Sequence, residues 1–420
     1  MTATSAPTPA LGELDVLARL MDPETLKDPY PFYAWLREHA PVHRNPTGHV
    51  YLVSRNQAVR DVYQSPDLRA IELGELLEKH PRWERSRALR ILSQVITSTN
   101  PPEHTRVRRA VSRHFTLRQA QRLQESAEGH CDRLLEPLAA RLKDGGTGDL
   151  HRELTQPLGM NMAGDIIGIP QADREALTEL ILTVITSLHP TSSDEALAAG
   201  DRASEQVEEY FAQLAAERRE RPGEDLITAL LSEVREGDEK PEQGLNHTEF
   251  MLLLWGLWAG SFETTVTAMG FGVLAMLDHP DQAHWLDGGP AEVKAFVSET
   301  LRFNPPVLVD ADPRIARRDI EIDGVVIPEG ADVRPLHGPA NRDPEAFPDP
   351  DRFDPARNTS RMVTFGHGIH HCLGANLARM ECAVALSAIR RALPGLTLPE
   401  RPVLRTAMSL RTFERFPVAL

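Results

Sequence analysis

Residues 365–374 read Phe365-Gly366-His367-Gly368-Ile369-His370-His371-Cys372-Leu373-Gly374. The glycines at 366 and 368 allow the backbone to approach a partner closely. Cys372 stands where a helix begins, expected over residues 374–393. The unpaired N–H groups and positive dipole end of a helix N-terminus favour a thiolate over a thiol. A thiolate in a glycine-lined loop is a good metal ligand. Three other readings start open. His367, His370, His371 and Cys372 would be a zinc site of unusual spacing. The glycines would be a phosphate loop lacking its lysine. Cys372 would be a nucleophile without a defined base.

Three further segments carry chemistry. Glu263 and Thr264 set an acid beside a hydroxyl in an otherwise apolar stretch, a pairing that can relay protons through a held water. Glu299 and Arg302 lie three apart on one helix face, which taken alone is an ordinary solvated ion pair. His104 and Arg108 lie four apart, which taken alone is a solvated basic face.

Together these segments resemble the cytochrome P450 family, near its actinobacterial secondary-metabolism members. The cysteine segment matches Phe-Gly-x-Gly-x-His/Arg-x-Cys-x-Gly at every specified position. Glu299-Thr300-Leu301-Arg302 matches Glu-x-x-Arg about 70 residues earlier. Asn100-Pro101-Pro102-Glu103-His104-Thr105-Arg106-Val107-Arg108 resembles Asp-Pro-Pro-x-His-x-x-x-Arg, with Asn100 in place of Asp. Gly260-Ser261-Phe262-Glu263-Thr264 resembles Ala/Gly-Gly-x-Asp/Glu-Thr, with Ser261 in place of the second glycine. The resemblance covers residues 22–420 and implies a haem b cofactor (iron protoporphyrin IX). Cys372 would be the axial thiolate, a ligand that favours O–O cleavage. Phe365 would shield the sulfur, and backbone N–H groups after Cys372, toward Gly374, would temper its donation. His104, Arg108, Arg314 and His370 would hold the haem propionates. Glu263 would feed a proton relay that Thr264 orders, with a local widening of the helix there. Glu299, Arg302 and Arg352 would form a buried network behind the cysteine loop.

The resemblance also locates the substrate. Gly256, Ala259 and Gly260 would leave room above the iron, while Trp255 and Trp258 are expected in the core. The segment 305–313 and Leu410 would border the haem edge. Regions 66–98 and 170–205 would form the lid. Asp310 and Asp312 stand where the family often has apolar residues. A carboxylate over an apolar cavity is costly unless paired, so these two either read a substrate amine or pair locally with Arg314 or Arg317.

The elements that must position these residues are mostly helical. Asn246 with Glu249 three residues on reads as a capping box opening one long apolar helix over 247–277. Helical patterns also occupy 29–39 and most of 117–236. Short strands are expected at Val50 to Val53, after the turn-like 45–48, and at Phe416 to Leu420. Ile320–Ile322 and Val325–Ile327 form a hairpin across Asp323-Gly324. Residues 338–364 form a long irregular stretch of the kind that carries function. The fold class is mainly α with a small β region (α+β), implying the family's fold: a long central helix over the haem and the cysteine loop on the opposite face. A flexible tail over 1–20 and one catalytic domain over 21–420 are expected.

Composition narrows the partners. The 420 residues carry a net charge of −15, which opposes broad nucleic-acid binding. Only five of the 46 basic residues are lysine, a hint of a GC-rich genome. Three cysteines form no disulfide framework and the start lacks a secretory pattern, so a cytoplasmic setting is expected; no apolar run is long enough to span a membrane, and the acidic surface leans toward a monomer. With no flavin or iron–sulfur segment, electrons would come from a ferredoxin and its NAD(P)H-dependent reductase, docking near Arg106, Arg109 and Arg113. The expected reaction is insertion of one oxygen atom from dioxygen into a small organic substrate. Atypical oxidation (coupling or peroxide-driven) and a haem-thiolate protein without turnover are the alternatives.

Overall fold

The capping box is present. The Asn246 side chain accepts from the Glu249 N–H at 2.8 Å, and Glu249 accepts from the Asn246 N–H at 2.9 Å. The helix it opens, His247–Ser261, does not run on unbroken as its sequence predicts. It stops at Phe262 (φ −109°, ψ −45°), and a second helix, Glu263–Asp278, continues. The expected widening is thus an interruption. The hydroxyls of Ser261, Thr264 and Thr265 turn back to the carbonyls of Trp258, Gly260 and Ser261 at 3.3–3.5 Å. Such back-bonding competes with the backbone ladder and bends helices. Phe262 itself is buried against Trp258, ring to ring at 6.1 Å.

The computed structural model describes residues 14–46, 49–79, 84–187, 192–237, 241–310, 312–406 and 410–420. Residues 1–13 of the expected tail, and Thr47 and Gly48 of the expected turn, lie outside them. The tail as expected to residue 20 is too long. Val16–Met21 is a helix capped by Asp15, and Val16 and Leu20 are fully buried against Tyr33 and Leu36.

The central helix passes from one core into another, the change falling after Val266. Phe262 and Val266 pack with Trp255, Trp258, Phe211 and Leu377. Met269 and Phe271 pack with Phe296, Leu386 and Phe413. The helix that follows the cysteine, Ala375–Ala392, supplies Leu377 to one core and Leu386 to the other. It also packs along Leu117–Lys143 and Pro290–Phe303.

The β region is small. Five short strands lie in the order Val42–Arg44, Val50–Val53, Asp332–Pro335, Arg314–Ala316, Leu68–Ala70, with the second and third parallel. The hairpin Ile320–Ile322 with Val325–Ile327 turns through Asp323 (φ 48°) and Gly324 (φ 77°), the paired left-handed geometry its sequence signals. A second hairpin, Val403–Thr406 with Arg411–Arg415, packs against Glu263–Asp278. The expected terminal strand is Pro417–Val418, paired with Gly148–Asp149.

Asp165 joins three helices. It accepts from His130 at 2.9 Å and from Ser126, both on Leu117–Lys143, and pairs with Arg174 of Arg174–Ser187 at 2.7 Å. Burial alone would raise its pKa, but the hydrogen bonds from His130, Ser126 and Arg174 outweigh that and lower it from 3.8 to about 2. The folded value lies below the unfolded one, so this stabilisation is present above pH 3.8 and lost as the pH falls toward 2. Asp165→Asn is expected to cost about 2 kcal/mol at neutral pH. It should also weaken the acid dependence of the urea midpoint, measured from pH 7 downward.

Candidate active site

The cysteine loop is built on its glycines. Gly366 and Gly368 hold φ 66° and 69°, where a side chain would be strained. A Cβ on Gly368 would lie 2.4 Å from the carbonyl oxygen of Tyr63, so the loop rests directly on the backbone of the helix Asn56–Gln64. The Cys372 N–H donates to the Phe365 carbonyl at 2.9 Å and closes the loop. Cys372 has accessible surface although protein packs densely around it, so it sits in a recess. Burial pushes the thiol pKa up. The Gly374 N–H pulls it down, as do Arg108, Arg379 and the Ala375 N–H. Burial is the larger effect, so the helix start alone does not favour the thiolate, whereas a bound metal cation would.

A second set of groups is linked to Cys372 through Arg108, whose charge acts on the thiol, on His104 and on His370. His104 and His370 face each other with ring centroids 4.3 Å apart. Both ring nitrogens of His104, Nδ1 of His370 and Nη1 of Arg314 are buried without hydrogen-bond partners. Burial, with Arg108 and Arg314 nearby, lowers the His104 pKa to about 4, and burial with Arg314, His104 and Arg108 lowers that of His370 to about 2. A donor set of this kind, crowded with positive charge, suits carboxylates. Arg108 also donates to the His371 carbonyl and so clamps the loop. Together with the recessed thiol, these orphaned donors fit a haem with its propionates.

The network behind the loop is fully buried. Arg302 donates twice to Glu299, at 2.7 Å each, and neither side chain has exposed surface. Arg302 also donates to the carbonyls of Asn341 at 2.8 Å, Pro350 at 2.9 Å and Arg352 at 3.3 Å. Here the sequence expectation needs correction. Arg352 contributes only its carbonyl, because its side chain is exposed. The guanidinium that meets Glu299, at 3.4 Å, is that of Arg357. Asn341 and Thr364 complete the link. Asn341 donates to Thr364 at 2.8 Å and accepts from the Val363 N–H at 2.8 Å, while Thr364 donates to the Leu301 carbonyl at 2.7 Å. None of Asn341, Arg357 and Thr364 stands in a spacing that marks it; the polar run 341–343 was the available signal.

On the opposite wall stands the acid–hydroxyl pair. Glu263 is buried at the start of its helix and pairs with Arg405. Burial raises the Glu263 pKa, and Arg405 opposes that shift. Thr264 is half-buried. A Cβ on Gly260 would meet nothing within 4 Å, so this residue borders open space, whereas one on Gly256 would lie 3.1 Å from Val95. Ala259 is half-buried, and Trp255 and Trp258 are core residues as expected. Leu410 pairs with Val307 of the haem-edge segment.

Asp310 is spent internally. Its Oδ2 accepts from Tyr63 at 2.8 Å and lies 3.7 Å from Arg314, and its Oδ1 accepts from the Asp312 N–H at 3.1 Å. Asp312 accepts from Ser98 at 3.1 Å, and burial, then the Asp310 charge, pushes its pKa up. The local pairing expected as one alternative is therefore what forms at Asp310, and it does not serve as an open amine acceptor. Ala311 between them lies outside the described residues. The basic patch is likewise smaller than expected. Arg106 is bound to Glu249 at 2.7 Å and Arg113 to Glu233, which leaves Arg109 exposed.

A recessed thiol in a glycine loop, a buried Glu–Arg pair behind it and a broken central helix opposite define a haem-thiolate class of protein. The sequence profile of the family described as Cytochrome P450 matches residues 44–286 and 293–402. The chain is 40% identical to "Cytochrome P450 BJ-3" of Bradyrhizobium diazoefficiens, over 97% of this chain and 96% of the relative. It is 33% identical to "Cytochrome P450 monooxygenase PikC" of Streptomyces venezuelae, over 89% and 86%. P450BioI, solved in complex with a hexadec-9Z-enoic acid-ligated acyl carrier protein, superposes with a TM-score of 0.85 at 29% identity, over 94% of this chain and 99% of that one. The chain belongs to the cytochrome P450 family, an oxidoreductase family whose cofactor is haem.

Arg302→Leu would leave Glu299 buried without its main partner. Breaking such a pair costs about 3–5 kcal/mol. The expected result is a lower urea midpoint together with a fall in haem bound per chain, read from the Soret absorbance of the purified variant.

Proposed function

We propose that this protein is a haem b monooxygenase that inserts one oxygen atom from dioxygen into a small organic substrate by hydroxylation or epoxidation. The observation that carries this reading is the recessed Cys372 thiol next to Arg108, together with the orphaned propionate-type donors of His104, His370 and Arg314. Cys372 would ligate the iron, with Phe365 and Gly374 framing the sulfur. His104, Arg108, Arg314 and His370 would grip the propionates. When bound, the haem supplies the oxygen-activating chemistry. The chain then has to exclude water, orient the substrate and deliver protons. Glu263 holds a proton in a buried site, and the Thr264 hydroxyl orders the water that receives it. Gly260 and Leu410 border the substrate space.

Electrons would come from a ferredoxin and its reductase, with exposed Arg109 contributing to a local basic contact despite the acidic surface. A cytoplasmic monomer is the working state, with one catalytic domain over 21–420. Among the described residues no helix is long and apolar enough to cross a membrane. A tailoring role in secondary metabolism is supported by the sequence resemblance to the family's actinobacterial members and by the arginine-rich composition.

The reading is tested on the purified protein reduced under carbon monoxide. The red-shifted Soret band that marks thiolate-ligated haem is expected for the wild type and should be lost in Cys372→Ser. A wild-type band at the position seen for histidine-ligated haem would refute the proposal.

A further inference from the structure

Glu263 is held from an unexpected direction. Its partner is Arg405, which lies in the strand Val403–Thr406 of the C-terminal hairpin, opposite Thr412. Arg405 binds Oε1, while Oε2 is buried without a hydrogen-bond partner. The Glu263 side chain is 8% exposed and that of Arg405 43%. The ion pair therefore runs from the broken central helix to the solvent side of the hairpin. The hairpin is itself anchored beside the haem-edge segment. Leu410 pairs with Val307, and the Arg411 N–H donates to the Pro306 carbonyl at 3.1 Å.

An acid that relays protons must pass through both of its states. Burial disfavours the charged state, and a fixed cation restores it. An arginine guanidinium keeps its own proton, so it acts as an anchor rather than a carrier. With Oε1 anchored, Oε2 is the oxygen left to give and receive a proton.

Resting on the monooxygenase reading above, we propose that Arg405 is the positioning residue for Glu263, and that protons enter the site along the C-terminal hairpin. In each cycle Glu263 gives the proton on Oε2 to the water ordered by Thr264. The resulting carboxylate is neutralised by Arg405, which keeps its own proton, and Oε2 takes its next proton from a water that enters along the hairpin beside that arginine.

The test uses the haem-loaded enzyme and the variants Arg405→Gln, Arg405→Lys and Glu263→Gln. The first readout is infrared: the protonated-carboxyl band that Glu263→Gln removes should grow in Arg405→Gln and return toward wild type in Arg405→Lys. The second is dioxygen consumption with a plant-type ferredoxin, its reductase and NADPH, in H2O and in D2O. Arg405→Gln should slow it about tenfold, part of the hundredfold or more that a placed proton donor contributes. Its solvent isotope effect should rise, and Arg405→Lys should recover most of the rate. An unchanged band and rate in Arg405→Gln would overturn the proposal. So would a slower rate with an unchanged band, since that marks a purely structural effect. The carbon monoxide band of the wild type is checked first; its absence would sink the monooxygenase reading, whereas its presence with an unaltered Arg405→Gln sinks this inference alone.

Discussion

A carboxylate and a guanidinium with no exposed surface persist in a protein core only if each is saturated with partners. Glu299 and Arg302 meet that demand by drawing in the chain around them. Three backbone carbonyls, one backbone N–H and a second guanidinium, that of Arg357, converge on the pair. Every one of those groups lies between residues 341 and 357, in a stretch with few strands or helices of its own. The pair thus supplies the order that secondary structure does not. Asn341 and Thr364 pass that order on to the residue immediately before Phe365. The position of Cys372 is set in this way, by a polar network rather than by an apolar core.

The opposite wall obeys a different constraint. Both halves of the central helix are buried in apolar cores, so the backbone can break only where side chains replace the lost ladder bonds. Three hydroxyls, on Ser261, Thr264 and Thr265, do so around Phe262. The same break places Glu263 at a helix start and lets its carboxyl reach the C-terminal hairpin. Ser261, the departure from the family's second glycine, takes part in the break by bonding back to Trp258.

Features fixed by neighbours in sequence were legible before the structure. The capping box at Asn246 and Glu249, the Asp323-Gly324 turn and the glycines of the cysteine loop each obey a rule spanning a few residues. Features fixed by distant partners were not. Arg352 and Arg357 are equally plausible by sequence, and only the path of the irregular stretch brings the second one to Glu299. Arg106 and Arg113 read as a docking patch until Glu249 and Glu233, more than a hundred residues away, are seen to hold them. Asp310 reads as an open charge until Tyr63 and Arg314 are placed beside it. Arg405 carried no signal, because an arginine in a short exposed strand is ordinary until the acid it meets is known.

The central claim is that the polar network presents one particular sulfur to iron. X-ray absorption at the iron edge of the purified ferric protein tests it most directly. A sulfur bonded to iron, lost in Cys372→Ser, is the result this account predicts; Cys131 and Cys382 are buried within the apolar core. Iron surrounded by nitrogen and oxygen alone in the wild type would contradict it.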